Sequence, residues 1–585
     1  MKVYVQGAGT GVELTQRNFL AAGGQANVFV KGDLAYKVYH DPANAVPQGK
    51  IQALAAITDP QVNRPRDILL DAKNAVVGYT ARYVKDAFVL AQLFPRAFRD
   101  RQGVTPEMIL HLVRKMQEGI AHIHSKGILV VDLNELNFLV SPAFDELHFI
   151  DTDSYELPGY PAPVLMDSIR DWTVQRPPGS RHHTWTTLSD WWSFAIVSFQ
   201  LFVGIHPFKG QYKGPKAELR AKLPTDKPDD AFAVTRRRMQ QHVSVLQPDV
   251  GMPAAVYPLD SIPDTYRAWY ARLFVRGERG APPLLAGTVT TVVMAAPASV
   301  SSAQLEITEM GQYEGTITRL WSNGTTLVVA TDKDVWLDQQ RVGAPWQPHG
   351  CGFIAKSGRT ILASTDGSLY NATDRAPAGR SAAASAVSSH GGRIYTLVGE
   401  QVLEVELHDM GRIVAANRAV VNVLPHATKL YRGVVVQNLL GSHFVSLLSA
   451  AGVARQVRMP ELDVYRILDA RFDNHAPLGG VLMVIGARTD GTYDRLVFRF
   501  GEDDSYDMRV VSNITPAGLN FVVLDSGVCV CLTEDDKLEA FPSKKGSTAM
   551  KVVEDKALGG DMILAKHAGS VLFARGNRIY RMKLK

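Results

Sequence analysis

Cysteine is almost absent from this chain: 585 residues carry three, Cys351, Cys529 and Cys531. Three thiols build no disulfide framework, which suits a reducing cytoplasm. Cys529 and Cys531 stand two apart in the apolar run GVCVCL. On a strand that spacing puts both on one face, as small core residues rather than metal ligands. No apolar run reaches membrane-spanning length, and the opening MKVYVQGAG lacks the basic and apolar regions of a signal peptide. An excess of one charge is lacking too. Lys and Arg outnumber Asp and Glu by 32 to 28 over residues 1–285 and by 31 to 30 over the rest. That balance is too even to indicate nucleic acid. The expected setting is the cytoplasm, with neither nucleic acid nor membrane as partner. The one local basic run, Arg236, Arg237 and Arg238, reads as a solvated helix face.

A chain of this length exceeds what one core organises, so two or more domains are expected. The pattern changes near residue 285. Before it, strand-like runs reach to about residue 84 and are followed by long apolar-periodic segments. PEMILHLVRKMQEGIAHIHSKG repeats Ile109, Leu112, Met116, Ile120 and Ile123 at three- and four-residue spacing, the stripe of a core-facing helix. The segment APPLLAGTVTTVVMAAPASVSSAQ carries no charge and reads as a linker, about 286–304, although TVTTVVM could pair as a strand. From about 305 to 585 the helical period nearly vanishes. Seven runs of the form strand, Gly/Asp/Asn turn, strand recur at blade-like spacing, from TTLVVATDKDVWL to GSVLFARGNRIYRMKL. They predict an all-β propeller of seven blades, with six or eight open and a pair of sandwiches as the competing architecture.

Two glycine clusters invite a phosphate reading. Gly7-Ala8-Gly9-Thr10-Gly11 is followed by β-like sequence rather than a helix, so no helix N-terminus would meet the phosphate, and the dinucleotide reading fails. LAAGGQANVFV is better placed, because Ala35-Tyr36-Lys37 follows on a strand-like run from which a lysine reaches the turn. Aspartates then recur in an ordered series. Asp132 and Asn137 lie five apart in ILVVDLNELNFLV, Asp151 stands in LHFIDTDSYEL, and Asp190 in LSDWWSFAIVSFQLFVGIHPFKG. Each alone reads as a turn or cap residue.

Their order resembles the protein kinases. The loop ILVVDLNELN is similar to the kinase pattern H-R-D-L-x-x-x-N, IDTDS to the metal-binding D-F-G, LSDWWSFA to D-x-W-S-x-G, and YARLFVRGERG to the last kinase helices with Arg279 at a late arginine. The wording D-L-N-E-x-N, then D-T-D-S, then G-x-H-P-F, looks like a divergent bacterial kinase group. Members of that group are often joined to accessory domains and found near stress or conflict gene clusters. The resemblance covers residues 15–285 and implies a bilobal α+β fold within 1–285. The small β lobe is about 12–82 and the helical lobe about 86–285. It implies ATP and Mg²⁺ as cofactors. Gly23, Gly24, Ala35, Lys37, Thr80 and Tyr83 would line the nucleotide, with Thr80 to Val84 as hinge. Asn137 and Asp151 would hold the metal, and Asp132 would receive the hydroxyl proton of a Ser/Thr substrate.

Several positions depart from that pattern. No glutamate occurs between Glu13 and Glu107, so the partner a kinase supplies to its strand lysine is missing. Gln48 or Gln52 on the following helix, or Asp67 or Asp71, is expected in its place. Val130 and Val131 replace His and Arg, which argues against switching by loop phosphorylation. Asn134 replaces the lysine that steadies the transferring phosphoryl group, and so joins Lys37 and Asp132 as a catalytic candidate. No A-P-E motif is visible in YPAPVLMDSIRDWTVQRPPG. The expected function is a Ser/Thr protein kinase whose propeller recruits a protein substrate or partner. The alternative is a pseudokinase scaffold that binds nucleotide without transfer. His182 and His183 read as an exposed loop, and His206 as structural.

Overall fold

A computed structural model describes residues 1–8, 11–162, 165–174, 183–285, 302, 304–448, 454–475, 479–501, 503 and 505–585. The linker 286–304, apart from Ser302 and Gln304, lies outside them, as do His182 and Gly9-Thr10 of the first glycine cluster. The chain is multidomain. One unit comprises Met1–Val293 together with Ala487–Asp494 and Ser512–Pro516, and the other the remaining residues from Met294 to Lys585. Among the described residues no helix is long and apolar enough to cross a membrane.

In the first unit, seven strands form one antiparallel sheet: β1 (Lys2–Val5), β2 (Gly11–Glu13), β3 (Phe19–Ala22), β4 (Ala26–Lys31), β5 (Leu34–Tyr39), β6 (Ile68–Leu70) and β7 (Val76–Arg82). Their order is β2-β1-β6-β7-β5-β4-β3, so the sheet takes in the first residues of the chain as well as those from 12 to 82. Gly32, at φ +61°, occupies the first central position of the β4–β5 turn, where Lys31 faces Leu34. That position favours glycine in tight hairpins. Gly78 permits the β5–β7 pairing, because a Cβ there would fall 1.9 Å from the Lys37 carbonyl oxygen. Helix α1 (Gln48–Leu54) follows β5 and buries Lys50, Ile51 and Leu54.

Strand β8 (Phe88–Val89) pairs with β9 (Phe138–Val140), and β9 with β10 (Leu147–Phe149). Helices α2 (Arg96–Gln102), α3 (Pro106–Ser125), α4 (Thr187–Val203), α5 (Ala233–Gln240) and α6 (Asp264–Phe274) complete the unit. The start of α3 follows local chemistry: the Thr105 side chain accepts from the Met108 amide, and Pro106 occupies the first turn. All five residues of its expected stripe are buried. Helix α4 is apolar around its circumference and buried along nearly its whole length, as a central helix must be. It packs with α3 and α6 in one large core that includes Trp192, Phe199, Tyr266 and Phe274. Two late segments complete this unit; in the second of them Asn513 Nδ2 donates to the Ala231 carbonyl, and the Ile514 carbonyl accepts from Lys209 Nζ.

Seven four-stranded sheets lie among the described residues from 305 to 585. Six are consecutive in the chain, at 317–341, 350–380, 386–422, 428–458, 466–511 and 521–554. The seventh joins Leu305–Gln312 to Arg578–Leu584 and the two strands before it. Each sheet shares an apolar cluster with the next. Val329 of the first packs with Ile579 of the seventh, Leu538 of the sixth with Leu564 of the seventh, and Val328 of the first with Leu362 of the second. The core is therefore divided into seams between sheets. Cys529 and Cys531 lie buried together on the strand Val528–Leu532, facing Met483 of the preceding sheet.

His206 is buried at the end of α4, and its imidazole is fixed in one tautomer. Nδ1 accepts from the Phe208 amide at 3.2 Å, which leaves the Nε2 proton to donate to the Ser168 carbonyl at 2.9 Å. Burial pushes its pKa down to about 3. The unfolded chain binds this proton below its ordinary pKa of about 6.5 while the folded chain does not, so stability is complete above that pH and falls below it. Urea unfolding followed by tryptophan fluorescence is expected to lose up to about 1.4 kcal/mol per pH unit from this residue between pH 6 and 4, and His206→Gln to remove that part of the slope.

Candidate active site

The loop after α3 is held from below by α4. Asp190, fully buried, accepts from the Val130 amide at 2.8 Å, the Val131 amide at 2.9 Å and His124 Nε2 at 2.9 Å. The need for this clamp lies in the backbone: Val131 sits at φ +62°, a left-handed conformation that is costly for a β-branched residue. Two hydrogen bonds to one buried carboxylate offset that strain. The clamped turn presents Asp132, whose Oδ1 accepts from the Met166 amide at 3.0 Å and Oδ2 from Asn137 Nδ2 at 3.3 Å. Burial raises the Asp132 pKa. Asn137 Nδ2 also donates to the Asp132 carbonyl at 3.0 Å, so the bonds of its amide nitrogen go to Asp132.

The neighbouring loop residues do other work. Asn134 is 2% exposed and its Oδ1 accepts from the Leu136 amide, so its side chain shapes the turn. Glu135 is buried and accepts from the Tyr493 hydroxyl. Tyr493 belongs to a late segment of this same unit, a contribution that no local reading of D-L-N-E-L-N reveals.

Asp151 reaches the site through a short link. The Ile150 amide donates to the Asn137 carbonyl, tying the two segments together. Asp151 itself is left-handed, at φ +54°, and starts the 3-10 turn Thr152–Ser154. Half exposed, its Oδ1 lies 3.0 Å from Lys37 Nζ. The turn brings Asp153 back under the same lysine, with both of its oxygens 3.0 Å from Lys37 Nζ. Burial works against the Lys37 charge, and Asp151 and Asp153 more than offset it, holding its pKa well above the ordinary value. The expected lysine partners are not at this place. Gln48 and Gln52 are exposed; Asp67 accepts from the Thr80 hydroxyl, and Asp71 from the Lys73 amide in its own turn. Asp153 was legible only as the second acid of D-T-D-S, with nothing local to mark it.

The remaining candidates line the sheet. Ala35 shares a face with Lys37 and pairs with Ala81. Thr80 is fully buried, its hydroxyl spent on Asp67. Tyr83 is partly buried and its amide donates to the Asp33 carbonyl. Gly23 and Gly24 form the exposed β3–β4 turn, and a Cβ at Gly24 would meet nothing within 4 Å. Neither has positive φ, so neither backbone nor packing demands glycine there.

Two surface readings change in the folded chain. Arg279 forms a two-pronged ion pair with Asp171, at 2.6 and 2.7 Å, and stacks on Trp192. An acid in SIRDW thus anchors the segment in which no A-P-E was visible. The run Arg236, Arg237 and Arg238 is not a solvated face. Arg236 pairs with Asp230, Arg237 with Asp226, and buried Arg238 donates to the Leu219 and Gly210 carbonyls. Helix periodicity cannot show that neighbouring loops fold over a helix. His183 bonds Arg170.

Asp190→Ala is expected to lower stability by about 2–4 kcal/mol, since two buried amides lose their acceptor. Denaturant unfolding read at Trp191 and Trp192, which adjoin the position, measures it; an unchanged midpoint would contradict the clamp.

No protein-family model matches the chain. Over 219 residues it is 27% identical to "Protein kinase YegI" of Escherichia coli O157:H7, covering 34% of this chain and 33% of that protein. Over 191 residues it is 27% identical to "Protein kinase YegI" of Escherichia coli strain K12, covering 30% and 29%. The chain thus spans about a third of the length of the curated relatives it matches. Among solved structures it aligns with the kinase PK-1 of Cydia pomonella granulovirus at a TM-score of 0.31 and 11% identity, over 45% of this chain and 87% of that one. The relationship to known proteins is therefore a distant similarity to protein kinases over about a third of the chain.

Proposed function

We propose that the first unit is an ATP- and Mg²⁺-dependent protein kinase acting on Ser/Thr hydroxyls. The observation that supports it best is the meeting of Lys37 and Asp151 at 3.0 Å, beside an Asp132–Asn137 loop clamped by a buried aspartate. Lys37, held cationic, is suited to the α- and β-phosphates. The glycines at 23 and 24, unexplained by the fold, leave room for a phosphate chain to approach the backbone.

The acceptors fit Mg²⁺ rather than a softer metal. Asn137 and Asp151 offer only oxygen, and Mg²⁺ takes one or two protein oxygens and fills the rest of its shell from phosphates and water. When bound, the ion would neutralise charge developing on the phosphates. Asp132 takes the proton of the attacking hydroxyl as its oxygen bonds to the γ-phosphorus and the bond to the leaving ADP oxygen breaks. Burial, which raises the Asp132 pKa, makes it a stronger base than a free carboxylate. Its hydrogen bonds to Met166 and Asn137 aim the carboxylate.

The seven sheets of the second unit are read as the blades of a propeller, closed by pairing the first strand of that unit with the last, as a surface that recruits the protein substrate or partner. The buried Asn134, with no lysine in its place, favours the alternative of a nucleotide-binding scaffold without transfer.

Incubation with radiolabelled ATP and Mg²⁺ separates the two. Transfer to the protein itself or to a generic protein substrate is expected, falling by about 10²-fold or more in both Asp132→Ala and Asp151→Ala. Stabilisation by Mg·ATP without label transfer would sink the kinase reading in favour of the scaffold.

A further inference from the structure

Asp153 is the most heavily engaged side chain near the lysine. Its Oδ1 accepts from Tyr79 Oη at 2.8 Å and its Oδ2 from Tyr39 Oη at 2.5 Å, in addition to Lys37 Nζ on both oxygens. Its backbone carbonyl accepts from Lys50 Nζ at 2.6 Å. The sheet dictates this convergence. Tyr39 follows Lys37 by two residues on β5 and shares its face, and Tyr79 on β7 is the register partner of Lys37. Three groups on a rigid sheet therefore point at one carboxylate, which is 8% exposed.

Helix α1 contributes differently. Its buried Lys50 reaches the main chain of Asp153 rather than Lys37, and Gln48 and Gln52 face solvent. In the kinase pattern a glutamate on the helix after the lysine strand holds that lysine, so movement of the helix makes or breaks the site. Here the carboxylate comes from the turn that follows Asp151, and the sheet tyrosines lock it there.

We propose that Asp153 is the positioning residue of Lys37, taking the place of a helix glutamate, so that α1 reaches the lysine only indirectly, through the bond from Lys50 to the Asp153 carbonyl. This rests on the nucleotide-binding reading above. The arrangement also assigns the two acids separate tasks. Lys37 bridges both, and were Asp151 to hold the metal, Asp153 would keep the lysine in place. Asp151 is half exposed and can leave; Asp153, buried under two tyrosines, cannot.

The test uses the full chain, with the KM for Mg·ATP and kcat from label transfer and the Mg·ATP Kd from equilibrium titration. Asp153→Asn preserves shape and removes charge; it is expected to raise KM and Kd about tenfold or more with a smaller change in kcat, because ground-state phosphate binding is what it loses. Asp153→Glu should recover part of that loss, and Gln48→Ala with Gln52→Ala should stay within about twofold of the parent chain. A Kd within about twofold of the parent in Asp153→Asn, while Lys37→Met raises it tenfold, would overturn the proposal. So would a Gln48/Gln52 variant as impaired as Asp153→Asn. Should Asp153→Asn fail to fold, Tyr39→Phe with Tyr79→Phe replaces it, with about a threefold rise in Kd expected and an unchanged value counting against the idea. A parent chain that binds Mg·ATP without transferring label contradicts only the kinase reading, since Kd still reports on Asp153. One that does not bind it refutes the nucleotide site and this inference together.

Discussion

Asp190 accepts the amides of Val130 and Val131, and the rest of the site is arranged around that pair of bonds. A β-branched residue at φ +62° does not stay there by its own preference. It stays because a carboxylate on the most deeply buried helix of the unit offers two acceptors at the required spacing. The turn that results places Asp132 and Asn137 side by side, and the link from Asn137 to Ile150 carries the geometry on to Asp151. The apolar surround of α4 makes the clamp effective, since a hydrogen bond to a charged group counts for more where water does not compete.

Acids in this unit stand in unaccustomed places. Where the kinase pattern places a helix glutamate beside the strand lysine, Lys37 meets Asp153 in the turn after Asp151, and Asp171 in SIRDW meets Arg279. Lys50 on α1 then faces a carbonyl, reversing the usual sign of the helix contribution. Such relocation conserves the electrostatic requirement, a buried cation matched by a nearby anion, while changing which element supplies it. Sequence comparison by position registers each move as a loss.

The second unit divides its core. Every sheet is too thin to bury both faces alone, and each apolar seam is shared by two neighbours. The pairing of Leu305–Gln312 with Arg578–Leu584 leaves the last sheet with four strands, like the others. The late segments that complete the first unit come from chain that otherwise belongs to the sheets.

Periodicity and motif order carried a good deal by themselves. The five-residue stripe of α3, the central apolar helix, the paired cysteines on one strand face and the series Lys37, Asp132, Asn137, Asp151 and Asp190 were all legible, because each depends on spacing within one segment or on order along the chain. Tertiary structure alone decided which acid holds Lys37, that Glu135 meets Tyr493 more than 350 residues away, that Asn134 is buried in its own turn, and that three consecutive arginines are covered by loops. These outcomes depend on which segments meet in space. Local spacing determines the direction in which a side chain leaves its own backbone, and only the packed fold determines what waits for it there.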